Sequence, residues 1–375
     1  MVRDYYGQRL DIKVGKKPTR LGGGEIYKTL YENQNILVVG LPQVSGKSSF
    51  AKDFTVQAAT QGRPLCVFDH VGEWARSVTR RNPRADKPMI LKDVGVYRDY
   101  TFKISSITVA GDLIGLGFTE NSAQMLCAII AGLKDWHEDN PDKFLQALEA
   151  VPTTNDDLAE FNARFDEQGI RLSMPLHTEV KRNMLNRWNQ ISGWFWHPDD
   201  TRPIFDFKEE WLRHQCIIID LSLEEINEFG ERVRTGIPEK SAFAVGQILR
   251  QIAPIHRIKH GIIVEEEMWN LCPPVKDTFA MPSSLSETIK LVTAYPKDNI
   301  VFIGICQDES QIDERVTKMM TTRVLFQCNG EGYAYTLAKR NRFYRKTGYR
   351  EMLWFENSHN YDYVIPNEAC CWVKH

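Results

Sequence analysis

An α/β fold built on a mainly parallel sheet is predicted by two features of the chain. From residue 35 onward, apolar runs of strand length alternate with helical patterns. The first of those runs leads straight into Ser45-Gly46-Lys47-Ser48 and a helix, the order in which a phosphate-binding loop is built. The strand-like runs cover residues 36–39, 65–68, 216–220, 261–264, 299–306 and 323–327. Both faces of such strands are covered by helices, so each reads as a continuous apolar run.

Residues 1–34 form an N-terminal extension whose Gly22-Gly23-Gly24 reads as a loop. The core is expected over 35–340. Its first strand ends in a loop where the amides of Gln43, Val44, Ser45 and Gly46 face inward and Lys47 supplies charge for the β- and γ-phosphates. Ser48 offers a hydroxyl to Mg²⁺, and Ser49 opens the helix that Gly62 stops. The usual spacing puts a glycine at position 41; here that glycine is one residue early, at Gly40, and Leu41 takes its place. The next strand ends in Asp69-His-Val-Gly-Glu73-Trp74, where carboxylates can order metal-bound water or the loop, or simply form a turn.

Between about 110 and 200 the strand pattern stops and four helices are expected, over 119–136 with Thr119 as N-cap, 141–150, 156–168 and 179–196. This is a helical insertion in the core. Its Trp188, Trp194, Phe195 and Trp196 lack a continuous basic interleaving and read as packing in preference to base stacking.

Two later strands carry chemistry. Ile262-Ile-Val-Glu265-Glu266-Glu267 ends in three acids for two posts, one beside the metal and one that polarises the attacking water. Strand length favours Glu265 with Glu266, whereas the following Trp-Asn-Leu favours Glu266 with Glu267; an acidic helix start is the alternative. The strand over 299–306 ends in Gln307, placed to meet the γ-phosphate or the water. Past Gln327 the chain turns aromatic and basic, with Tyr333, Tyr335, Phe343, Tyr344 and Tyr349 among Lys339, Arg340, Arg342, Arg345, Lys346 and Arg350. A β-hairpin is expected there, within a C-terminal segment 341–375, either against nucleic acid or as a charged sheet edge.

These motifs, in this order, resemble the HerA/FtsK superfamily of motor ATPases and its HerA-like branch in particular. Asp69-His-Val-Gly-Glu73-Trp74 is similar to that branch's Asp-Pro-x-Gly-Glu-aromatic turn, Glu266-Glu-Met-Trp-Asn-Leu271 to its Asp-Glu-Ala-His-Asn-Leu, and Gln307 to its sensor glutamine. The resemblance covers roughly residues 30–340 and implies a RecA-like core, ATP and Mg²⁺, a homo-hexameric ring and double-stranded DNA in its channel. Implied settings are genome packaging, DNA transfer, repair or defence; a protein-moving secretion or assembly motor and a non-translocating NTP switch are the alternatives. Where the family carries an Arg before the sensor strand this chain has Tyr295-Pro-Lys297-Asp298, which leaves Lys297, Arg232 and Arg234 as candidates for the trans-acting cation. The family's N-terminal β-barrel is not expected, with some 30 residues ahead of the first core strand.

Composition narrows the classes further. Hydrophobic residues at 42% and charged ones at 26% suit a globular chain with a full core. No apolar run approaches the roughly 20 residues of a membrane-spanning helix, and the first residues carry no signal-peptide pattern, so a cytoplasmic protein is expected. The net charge of −2 requires any nucleic-acid contact to be a local patch. Eight cysteines without a Cys-x-x-Cys pair argue against structural zinc and against a disulfide framework.

Overall fold

The computed structural model describes residues 10–17, 21–30, 34–41, 46–75, 77, 91–95, 99–132, 141–166, 171–213, 216–226, 229, 232–235, 238–252, 261–276, 281–294, 300–326, 336, 352–356 and 361–366. Strands are β1 (Leu10–Lys16), β2 (Glu25–Leu30), β3 (Asn35–Val39), β4 (Leu65–Asp69), β5 (Leu91–Gly95), β6 (Cys216–Asp220), β7 (Leu223–Ile226), β8 (Arg232–Thr235), β9 (Ile262–Glu265), β10 (Val301–Cys306), β11 (Thr322–Leu325), β12 (Met352–Phe355) and β13 (Tyr361–Pro366).

Eleven of these form one sheet in the order β2-β1-β13-β12-β11-β3-β10-β9-β4-β6-β5. From β11 to β5 every pairing is parallel. From β11 outward through β12, β13, β1 and β2 every pairing is antiparallel. All six strands expected from the sequence lie in the parallel part. The N-terminal extension and the C-terminal segment both lend strands to the same sheet. Lys28 on β2 ties these ends together, donating to Glu356 at 2.9 Å and to Asp362 at 2.6 Å.

The sheet separates two cores. On one side Ile36, Val38, Leu65, Val67, Ile262 and Val264 pack with helix α1 (Lys47–Thr60), whose Phe50 and Phe54 meet Trp354 of β12 at 6.3 and 5.8 Å. On the other side Leu37, Val39, Cys66, Phe68, Ile217 and Ile263 pack with the remaining helices. These are α2 (Ala110–Gly115), α3 (Glu120–Gly132), α4 (Pro141–Glu149), α5 (Asn155–Phe165), α6 (Thr178–Ile191), α7 (Phe207–Arg213), α8 (Pro238–Ile252) and α9 (Ser283–Ala294). A single turn of helix, α10 (Glu314–Thr317), precedes β11.

Helices α3 to α6 lie where the sequence predicts four helices, and α2 and α7 flank them without a counterpart in that prediction. Thr154 caps α5 by accepting from Asp157 N at 3.2 Å. The aromatic stripe is packing: Trp188 is fully buried, stacks on Phe195 at 5.2 Å and meets Phe144 edge-on at 4.5 Å. Arg250 of α8 clamps the fully buried Asp112 of α2 through two hydrogen bonds of 2.8 and 2.9 Å, fixing the insertion to the core. Among the described residues no helix is long and apolar enough to cross a membrane. The aromatic-basic stretch from Tyr333 to Arg350 lies outside the described residues; the antiparallel pair β12–β13 follows it.

Candidate functional site

Parallel strands β3, β4, β9 and β10 present their carboxyl ends along one edge, and the chemistry-bearing residues follow those ends. After β3, the Gly40 amide donates to the Cys306 carbonyl of β10 at 3.2 Å, which pins the loop's start to the neighbouring strand. Gln43, Val44 and Ser45 lie outside the described residues. Gly46 caps α1 with φ 85°, left-handed backbone that a glycine adopts without strain. Lys47 then opens the helix with its side chain buried and no acid in the first turn. A buried ammonium there is opposed by the helix dipole, and an anion at the same place offsets both charges.

Ser48, one residue on, lies beside the carboxyl of Glu266, which follows β9, and favours its ionised form. Glu266 is buried on the α1 side of the sheet, where Trp74 Nε1 donates to its Oε2 at 2.8 Å. Burial pushes its carboxyl up to about 8; the Asp69 carboxylate alongside adds to the rise, and Lys52 and Ser48 oppose it. Two adjoining buried carboxyls next to a serine hydroxyl form a set of hard-oxygen donors, and a divalent cation there would offset the burial and repulsion that raise Glu266. Among the described residues no group of three or more His, Cys, Asp or Glu gathers as a metal cage. Mg²⁺ needs none when substrate phosphates and water complete its shell.

Asp69 serves the turn more than the ion. Its Oδ1 accepts from the amides of Val71 at 3.0 Å and Gly72 at 2.8 Å, and its Oδ2 from Trp74 at 2.8 Å. That seats Trp74, fully buried, against Glu266. Glu73 is largely exposed and reaches Lys52 at 3.6 Å, while the Lys52 ammonium lies 5.5 Å from the centre of the Trp74 ring. Lys52 is a supporting residue that the motif reading missed; its position one helical turn beyond Ser48 is the signal that marks it.

The three acids separate by pleat. Glu265, the last residue of β9, points to the opposite core, where Thr288 of α9 donates to its Oε1 at 2.8 Å and the Cys272 thiol approaches Oε2 at 3.8 Å. It is completely buried, with its carboxyl pushed up to about 7 by that burial against the two hydrogen bonds. The structure therefore does not bring Glu265 to the cluster around Ser48. Glu267 has φ 50° and is the non-glycine residue with positive φ among those described. Its Oε2 accepts from Trp269 Nε1 at 2.7 Å and from Gln307 Nε2 at 3.3 Å. Gln307, read from the sequence as facing the γ-phosphate or the water, is thus brought to Glu267.

Of the trans-acting candidates, Lys297 lies outside the described residues. Arg232 and Arg234 stand on β8, which among the described residues pairs with β7 in a ribbon separate from the main sheet.

No family profile and no curated protein matches the sequence. Solved structures do match in fold. VirB4 of Thermoanaerobacter pseudethanolicus superposes with a TM-score of 0.60 at 13% identity, over 95% of this chain and 96% of that one. The plasmid coupling protein TrwB in complex with the GTP analogue GDPNP superposes at 0.58 and 9% identity, over 90% and 86%. TrwB with ADP and Mg²⁺ superposes at 0.55, with the same coverage. Over most of its length the chain therefore shares the fold of VirB4 and of the plasmid coupling protein TrwB.

Proposed function

We propose that this protein is an Mg²⁺-dependent ATPase that works as a ring-forming motor on double-stranded DNA. The observation that carries the ATPase reading is the contact between Ser48 and Glu266 directly behind Gly46 and Lys47, with Glu267 and Gln307 paired beside it. In this reading Lys47 and the loop amides bind the β- and γ-phosphates. Ser48 and Glu266 would hold Mg²⁺, which would neutralise phosphate charge when bound. Trp74 and Asp69 keep Glu266 in place, and Lys52 and Glu73 brace that wall. Glu267 accepts a proton from the attacking water as the water oxygen bonds to the γ-phosphorus and the bond to the bridging oxygen breaks, releasing ADP and phosphate. Gln307 orients Glu267. Arg232, Arg234 and Lys297 are the residues to test as the cation supplied by a neighbouring subunit.

The polymer is inferred from the TrwB likeness, a plasmid coupling protein by description, together with the sequence motifs. A purified chain should hydrolyse ATP, with hydrolysis stimulated by duplex DNA and abolished in Lys47→Ala. A mass measurement with nucleotide should show a hexamer. A rate that saturating DNA changes by less than twofold in an assembled ring rules out the DNA motor and favours a protein-moving one. A slow, permanently monomeric hydrolase is the switch.

A further inference from the structure

Trp269 lies beside the proposed reaction without a part in it. Its indole is 38% exposed in the turn after the acidic strand end, yet its single N–H is spent on Glu267 Oε2 at 2.7 Å. Gln307 donates to that same oxygen at 3.3 Å from the end of β10. Two donors from different elements converge on Oε2, and among the described residues none is directed at Oε1. The left-handed backbone of Glu267 takes its carboxylate out of the pleat that buries Glu265 and Glu266 on opposite faces, so these donors decide where the carboxylate comes to rest. An indole has only two side-chain torsions and one donor, and its neighbour Met268 is fully buried against β10. It is a stiff arm on an anchored turn.

We propose that Trp269 is a positioning residue for Glu267. With Gln307 it ties down Oε2 and leaves Oε1 to take the water proton during the hydrolysis proposed above, on which this inference rests. Misplacing a reacting oxygen by about 1 Å costs on the order of 100-fold in rate. Trp269→Phe keeps an aromatic ring and removes the donor.

The test uses the full chain with two readouts. In steady-state hydrolysis, W269F should lower kcat by roughly 10- to 100-fold while KM and the Kd of a fluorescent ATP analogue stay within about twofold. In the nucleotide-free protein, the Trp269 indole N–H proton resonance, assigned by its loss in W269F, should move upfield in Glu267→Ala. An unmoved resonance, or a W269F kcat within twofold of wild type beside an inactive Glu267→Gln, overturns the role of Trp269 and leaves the ATPase assignment standing. Full activity of E267Q overturns the assignment of Glu267 and this proposal with it. A weakened Kd and lowered melting temperature in W269F together assign the tryptophan to structure alone.

Discussion

Three consecutive glutamates show how little distance separates structure from chemistry. Strand β9 is buried on both faces, so Ile262, Ile263 and Val264 carry no polar alternation from which to read the pleat, and the sequence left two pairings of acids open. The positions of α1 and α9 settle which face each acid meets. Glu265→Gln should accordingly keep kcat within about threefold, since its partners are Thr288 and Cys272, whereas Glu267→Gln should lose on the order of 100-fold or more. Steady-state ATPase assays on the two variants check this, and equal losses would move Glu265 back into the reaction. His70 offers a second residue-scale expectation. Its Nε2 is buried without a partner among the described residues, and burial lowers the ring to about 4 from 6.5, against the pull of Asp69. The unfolded chain therefore binds the extra proton between pH 6.5 and 4, and stability present above that window is lost as pH falls through it. Replacing His70 with Gln should flatten the acid limb of unfolding free energy against pH by an amount on the order of 1–3 kcal/mol, read by chemical denaturation across that window.

The order of motifs along the chain made the parallel strands legible because each is a compact apolar run that ends in a functional side chain. Other strands carry weaker signals. β5 reads Leu-Lys-Asp-Val-Gly, and its charges hide a strand that closes the far edge beside β6. β1 and β2 alternate loosely, and nothing local says that their partner is β13. Lys52 and Trp269 escaped because their importance comes from what they touch and not from a spacing. Gly304 in the centre of β10 is another case, unremarkable in sequence but required by close approach. A Cβ there would lie 2.4 Å from the sulfur of buried Met268, in the turn that carries Glu267. Gly304→Ala should cost about 1–3 kcal/mol in chemical denaturation and lower kcat as the turn shifts, and adding Met268→Ala should restore the rate better than the stability. If the single variant is as active and stable as wild type, the turn is looser than this contact implies.

At the scale of the molecule the open question is the polymer. Arg342, Arg345 and Lys346 lie outside the described residues, but their sequence still makes a prediction. If they neutralise DNA phosphates, changing all three to Ala should reduce the slope of log affinity against log salt by roughly 0.9 for each phosphate left without its cation, uniformly across DNA sequences. Binding titrations at several salt concentrations give the slope, and an unchanged one returns the patch to ordinary surface.

The pairing of β3 also constrains how this protein is made. Residues 35–39 carry the nucleotide loop, and their two neighbours in the sheet are residues 301–306 and 322–325. Among the described residues the hairpin of β1 and β2 pairs with the rest of the sheet through residues 361–366. A chain leaving the ribosome therefore exposes an unpaired, mostly apolar strand through most of its synthesis, and the slow, non-local pairings come last. The loop after β3 is therefore not framed by both of its neighbouring strands until residues 322–325 have emerged.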